Sequence, residues 1–174
     1  MRTQLERLSK RRTSDFLDAV RRSRKLHRNL VYAPDTEERF GDLLKRGRRR
    51  NCAQFLITLR DSAELVGFVE ISSIVRGFFD SAFLGYYAFK PHTGKGLMRE
   101  GLASVIDRAF GPLELHRLEA NIQPANERSI KLVKSLGFRL EGFSPRYLRV
   151  AGVWRDHERW ALLSDEWQSP LGEA

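Results

Sequence analysis

The chain has 174 residues, of which 41% are hydrophobic and 30% charged, with one cysteine and a formal net charge of +9. That length and composition predict one globular domain with a sizeable core, residues 1–174, and argue against two. The lone cysteine, Cys52, excludes an internal disulfide and fits a reducing compartment. The apolar runs are too short to span a membrane, and the basic N-terminus lacks the apolar segment of a signal peptide, so a cytoplasmic location is expected.

The positive charge is unevenly placed. Residues 1–50 hold 16 Lys and Arg against 7 Asp and Glu, whereas residues 51–174 hold 15 of each and balance. The excess in the first fifty positions suggests an anionic partner, with RNA or a ribosome as the candidate. A solvated basic face explains it equally well, and no nucleic-acid motif is spelled there.

In chain order, Gln4–Leu8 reads as a short strand. Thr13 or Ser14 is placed to cap a helix to about His27, with Phe16, Leu17 and Val20 inward and Arg21, Arg22, Arg24 and Lys25 outward. Tyr32-Ala33-Pro34 breaks it, and Asp35 or Thr36 caps a second helix through about Lys45 with Phe40, Leu43 and Leu44 as its apolar face. Ala53–Leu59, Leu65–Ile74 and Ala82–Phe89 read as three strands of an antiparallel meander, with turns at Arg60–Ala63 and at Gly77 to Asp80. Leu97–Phe110 is helical, His116–Ile122 is a strand, and Asn126 caps a helix closed by Leu136-Gly137. Phe138–Phe143 and a pair around Tyr147–Val150 and Arg155–Leu163 complete the sheet, and residues 170–174 read as a frayed tail. The order describes a mixed α/β fold, a mostly antiparallel central sheet flanked by helices.

The most informative stretch runs from Tyr86 to Met98. Leu84–Phe89 is a buried strand by its apolar and aromatic content. Thr93-Gly94-Lys95-Gly96 is a tight turn, and from Leu97 the period becomes helical, with Met98, Leu102, Val105, Ile106 and Ala109 on one face. Such a junction collects unpaired backbone N–H groups at the positive end of a helix dipole, which suits a phosphate or pyrophosphate. A plain strand-to-helix connection uses the same residues. The spacing fits neither a Walker loop nor a dinucleotide fingerprint.

A second block follows at Asn126-Glu127-Arg128-Ser129-Ile130-Lys131-Leu132-Val133-Lys134-Ser135-Leu136-Gly137-Phe138. Together the two blocks resemble the GCN5-related N-acetyltransferase (GNAT) superfamily. Val75-Arg76-Gly77, Leu84-Gly85-Tyr86, Leu115-His116-Arg117 and Trp154-Arg155-Asp156-His157 narrow the likeness to its RimJ-type branch, which acetylates the N-terminal alanine of ribosomal proteins. The closer likeness runs from about residue 65 onward and is looser over the first fifty residues. Three positions depart from the superfamily pattern: Thr93 stands where Arg or Gln is usual, Met98 where Gly or Ala is, and Val133 where many members carry a tyrosine acid. The ribosomal branch often has serine at the position of Ser129.

The resemblance implies acetyl-CoA as cosubstrate and direct attack of a primary amine on its thioester in a ternary complex, with no metal. It places Thr93, Gly94, Lys95, Gly96, Leu97 and Met98 on the pyrophosphate, and the backbone of Tyr87, Ala88 and Phe89 with Asn126 on the pantetheine arm. Asn126 is also an ordinary helix cap. An α-amino group has a pKa of about 7.7–8, so a modest base suffices, and Glu70 is the carboxylate candidate. Ser129 and Tyr147 are the candidates for protonating the leaving thiolate. Glu100 reads as structural and Asp80 as a turn residue within reach of a peptide. His116 and His157 read as structural, His27 and His92 as exposed. Residues 1–50 are expected on the acceptor side. Two other functions use the same features: acetylation of a small amine such as a polyamine or antibiotic, and a non-enzymatic RNA- or ribosome-binding module.

Overall fold

The structure, a computed structural model, describes residues 1–172. Strand β1 (Thr3–Arg7) leads through a short 3-10 turn into α1 (Thr13–His27), then α2 (Glu37–Gly47), β2 (Ala53–Leu59), β3 (Leu65–Val75) and β4 (Ser81–Ala88). There follow α3 (Leu97–Phe110), β5 (Arg117–Ile122), α4 (Glu127–Ser135), β6 (Arg139–Val150) and β7 (Val153–Leu163). The strands form a seven-stranded sheet in the order β1-β2-β3-β4-β5-β7-β6, antiparallel throughout except between β4 and β5. The mixed α/β class and the antiparallel meander expected from the sequence are both present.

Alternation along β2 feeds two cores. Phe55 and Ile57 enter a core with α3 and with Val133 and Leu136 at the end of α4. Leu56 faces the other way, into a cluster with Phe16, Leu17 and Val20 of α1 and Phe40 and Leu43 of α2. Phe16, Phe40 and Phe89 are fully buried there, and each such side chain stabilises the fold by about 1.5–3 kcal/mol relative to exposure. Helix α3 lies close to the sheet because two positions lack a side chain. A Cβ on Gly101 would sit 2.4 Å from Ile57, and one on Gly67 would sit 2.3 Å from the Met98 sulfur.

Several local details differ from the sequence reading. Neither Thr13 nor Ser14 caps α1: the 3-10 turn runs straight into the helix, and the Thr13 hydroxyl donates to the Lys10 carbonyl at 2.6 Å. Thr36 does cap α2, accepting from the Arg39 N–H at 3.3 Å. The segments Phe138–Phe143 and Tyr147–Val150 belong to one strand, β6, whose register breaks between Ser144 and Leu148, around Pro145. A proline is tolerated because β6 is an edge strand. In the expected tail, Leu171 packs against the main core, while residues 173 and 174 lie outside the described residues. No helix among the described residues is long and apolar enough to cross a membrane.

The feature that makes room for a site is the β4–β5 contact. These parallel neighbours pair only at Ser81–Arg117, Ala82–Leu118 and Phe83–Glu119. Strand β4 stays paired with β3 as far as Ala88. Beyond Phe83 the sheet therefore splits, and one edge of β4 runs without a ladder.

Candidate active site

A cavity of about 790 Å³ fills the split. Its walls are β4 from Leu84 to Tyr87, the end of β5, Asn126 and Ser129 of α4, the β6–β7 turn, and Arg39 and Arg46 of α2 with Glu70 of β3. Consecutive residues of β4 point to opposite faces, so the two tyrosines serve different sides. Tyr86 reaches α4, where its hydroxyl lies 2.6 Å from the Ser129 hydroxyl and donates to the Ser129 carbonyl at 3.3 Å. Burial pushes the Tyr86 phenol well above its usual range, and the bond to Ser129 offsets this only in part. The phenol stays protonated at neutral pH and offers its O–H as a hydrogen-bond donor.

Tyr87 faces the α1–α2 side, with its ring among Phe16, Phe68, Phe89 and His27. Its hydroxyl is buried without a partner, as is Asn121 Oδ1. Burial, reinforced by Glu70, holds this phenol protonated. Buried polar groups are nearly always satisfied, so two orphaned ones in the wall of a cavity mark where a ligand's polar groups fit. The sequence reading named neither Tyr86 as a functional side chain nor Asn121. Asn121 gave no signal of its own, since it continues the polar face of Arg117 and Glu119 along an alternating strand.

Glu70 points the same way as Tyr87. Its Oε1 accepts from Gln54 Nε2 at 2.7 Å, Arg46 Nε at 2.8 Å and Cys52 Sγ at 3.5 Å. Burial and the nearby Glu70 charge push the Cys52 thiol up to about 12, so Cys52 is a neutral donor and no thiolate nucleophile. No described side chain bonds Glu70 Oε2.

The glycine turn sits at the far end of β4, outside the cavity lining. Gly94 and Gly96 both take the left-handed conformation, at φ 78° and 77°. The Glu100 N–H donates to the Gly96 carbonyl at 3.1 Å, so the N–H groups preceding it are the orphaned start of α3. Thr93 is half-buried and Lys95 exposed, whereas the side chains of Leu97 and Met98 belong to the core. That leaves only their backbone N–H groups at the turn. One cation that the sequence reading missed approaches this turn: a Cβ on Gly96 would lie 3.5 Å from an Arg2 guanidinium nitrogen. Glu100 holds that arm, accepting from Arg2 Nε at 3.2 Å and from the Thr3 N–H at 2.6 Å.

The remaining candidates separate. Asn126 caps α4, with Oδ1 accepting from the Ser129 N–H at 3.3 Å, and it also lines the cavity. Phe89 cannot offer its N–H, which donates to the Val66 carbonyl at 2.7 Å. The Ala88 carbonyl is engaged by His27 Nε2 at 2.8 Å. Tyr147 does not line the cavity. Its ring lies 6.4 Å from that of His157, which is buried and does line it. Asp80 accepts from the Gly77 N–H at 3.2 Å in the β3–β4 turn, away from the cavity. The expectation that His27 and His92 are exposed is corrected: they are 6% and 7% exposed. His27 is enclosed by the aromatic cluster and His92 bonds Glu64 Oε2 at 2.8 Å, contacts made across long sequence separations. Among the described residues no three His, Cys, Asp or Glu side chains gather as metal ligands.

The molecule is thus a seven-stranded mixed α/β scaffold split between two parallel strands, with a glycine turn at the end of one and a helix headed by asparagine beside the other. The acetyltransferase (GNAT) domain family model matches residues 2–139, and the chain belongs to that family. It is 40% identical over 107 residues to the [ribosomal protein uS5]-alanine N-acetyltransferase of Escherichia coli (strain K12), covering 62% of this chain and 55% of that protein. The matched segment thus spans about half the length of that relative. Among solved structures, RimJ of Mycobacterium smegmatis in complex with CoA-disulfide superposes with a TM-score of 0.84 at 27% identity, covering 94% of this chain and 83% of that one. The ribosomal-protein-S5-alanine acetyltransferase of Vibrio fischeri gives 0.82 at 26% identity, covering 97% and 96%. Spermidine N-acetyltransferase of Vibrio cholerae, in complex with CoA and spermine, gives 0.79 at 20% identity, covering 95% and 97%, a likeness of fold alone.

Proposed function

We propose that this chain transfers an acetyl group from acetyl-CoA to a primary amine, and that the amine is the N-terminal α-amino group of a ribosomal protein or a similar peptide. The observation that carries the reading is the split beside β4. It is open to both faces of the sheet, with Tyr86 and Ser129 on one side and Tyr87 and Glu70 on the other. The names of the relatives above support the acceptor class.

The residues fit coenzyme A. The orphaned N–H groups of Gly94 to Met98 receive the pyrophosphate, assisted by Lys95 and Arg2. The unladdered edge of β4 at Tyr87 and the Asn126 amide hold the pantetheine arm. The amine enters from the α1–α2 side, where Glu70 Oε2, directly or through water, takes its proton. The amine nitrogen bonds the thioester carbonyl carbon, the C–S bond breaks, and the departing sulfur takes the Ser129 hydroxyl proton. Tyr86 turns its O–H from the Ser129 carbonyl to the Ser129 oxygen and replaces that proton. The proton taken by Glu70 leaves to solvent, and solvent restores Tyr86.

Incubation with acetyl-CoA and peptides copying alanine-headed ribosomal N-termini, read by mass, tests the reading. The expected product carries one extra acetyl group on the α-amine. Acetylation of spermidine but of no such peptide would overturn the acceptor class, and thiol release with neither would overturn acetyl transfer to amines.

A further inference from the structure

The cavity in the split continues. A second hollow of about 230 Å³ adjoins it, and Val31, Tyr32, Val150 and Ala151 line both. Its wall brings together Arg24, His27 and Arg28 from the end of α1 with Arg155 of β7. Arg24, Arg28 and Arg155 make no salt bridge among the described residues. The one acidic residue of the wall, Asp35, is already paired with Arg39. Two further atoms of this wall, His27 Nδ1 and Arg155 Nε, are buried without a partner.

These groups state what would satisfy them. Arg155 Nε is a donor and calls for an acceptor, best an anionic one, given three unpaired guanidinium groups around one small hollow. His27 Nε2 donates to the Ala88 carbonyl at 2.8 Å, which leaves Nδ1 as an acceptor and calls for an N–H. A carboxylate and an N–H on neighbouring atoms are what an Asp or Glu residue in a peptide offers. A polyamine offers only cations, which the arginines repel.

We infer that this hollow is a subsite for an acidic residue of the acceptor peptide. The side-chain carboxylate pairs with Arg155 and is drawn in by Arg24 and Arg28, while a peptide N–H donates to His27 Nδ1. The inference rests on the peptide reading of the acceptor proposed above, and it selects among alanine-headed peptides those with an acidic residue within the first few positions.

The test has two arms. In the first, KM is measured for alanine-headed peptides carrying Glu, or its neutral isostere Gln, at position two, three or four. One Glu peptide is expected to show a KM about tenfold or more below its Gln counterpart, and Arg155→Gln or Arg24→Gln is expected to narrow that gap. Equal KM values for every Glu/Gln pair overturn the inference. In the second arm, the His27 ring resonances are followed by NMR in the protein without acetyl-CoA, titrated with N-acetyl-glutamate N-methylamide, its glutamine counterpart, or acetate. A saturable shift with the glutamate compound alone supports a subsite that reads both the carboxylate and the N–H. A shift with acetate of equal affinity overturns the peptide part and leaves a site for free carboxylates, and no shift overturns the whole. A shift in the second arm with no peptide acetylated in the first supports the subsite and defeats the acceptor reading separately.

Discussion

The Tyr86 hydroxyl lies 2.6 Å from the Ser129 hydroxyl, linking β4 to the first turn of α4 across the split in the sheet. Many members of this family carry a tyrosine at the position of Val133, but here Val133 is fully buried in the main core. A phenol is nonetheless present beside the site, supplied by the strand. Its burial keeps it protonated, and its contact with Ser129 makes the two hydroxyls one hydrogen-bonded unit.

In the proposed reaction this unit gives the leaving sulfur its proton. Ser129→Ala and Tyr86→Phe are each expected to lower kcat by about 10²-fold, the low end of general acid catalysis, with little change in coenzyme A affinity. Because the groups act together, the double variant is expected to be no worse than about the poorer single one. Steady-state kinetics with a fixed peptide checks this. A fully active Tyr86→Phe would leave Ser129 to act without it.

The seat of α3 gives a stability prediction. A methyl on Gly67 would meet the Met98 sulfur at 2.3 Å and the Tyr87 carbonyl oxygen at 2.9 Å. Gly67→Ala is expected to destabilise the protein by about 1–3 kcal/mol, as overpacked cores are. Met98→Ala vacates part of that space, so the double variant should fall short of the summed losses by about 1 kcal/mol or more. Urea melts of the four proteins give the cycle. Strict additivity would show that Met98 is not what Gly67 accommodates.

How far the sequence could be read follows from the range of each interaction. The end of β4, the start of α3 and the Asn126 cap were legible because glycine, period and capping signals are local. The split itself was not, since it depends on β4 and β5 parting after three pairs. The Tyr86–Ser129 contact joins residues 43 positions apart, and the Arg2–Glu100 pair joins residues 98 apart. His27 ends a basic, solvent-facing helix by pattern, yet it is drawn under the aromatic cluster by the Ala88 carbonyl. Tyr147 looked poised at a strand start, but the irregular stretch of β6 between Ser144 and Leu148 keeps it out of the cavity lining.

Acid should unfold the protein in two windows. Burial lowers the His27 pKa below 6.5, and the bond to Ala88 offsets this only in part. The folded state therefore resists charging His27, and the corresponding stability is full above about 6.5 and declines below it. Burial raises Glu100, but the hydrogen bonds from Thr3 and Arg2 outweigh that and hold its carboxyl below 4.5. Its contribution is full above its unfolded value and is lost as pH falls through the lower folded one. Melting temperatures from pH 8 to 3 are expected to fall first below about 6.5 and again below about 4.5. Glu100→Gln should cost about 2 kcal/mol at pH 7, the worth of a charged hydrogen-bond acceptor, and diminish the second fall. The part left is due to Glu141, whose carboxyl the hydrogen bond from Arg117 also holds below 4.5. An undiminished second fall in that variant would assign it to other carboxylates.

The glycine turn is the most direct test of the donor site. Gly96 has φ 77°, which any side chain strains, and it stands at the positive end of α3. Gly96→Glu puts a negative charge where an anion is proposed and starts a side chain 3.5 Å from Arg2. The thermal shift produced by coenzyme A in the wild type is expected to vanish in this variant. Arg2→Ala separates charge from shape. Thr93 is shorter than the Arg or Gln usual at its position, and Arg2, just before β1, brings a guanidinium to the turn. Its loss is expected to weaken coenzyme A binding by about threefold to tenfold, the range for one exposed charge-assisted contact. Calorimetry with pantetheine, which lacks the pyrophosphate, discriminates the causes. Unchanged pantetheine binding places Arg2 on the phosphates, whereas an equal loss for both ligands would mean that Arg2 acts only by tying β1 to Glu100.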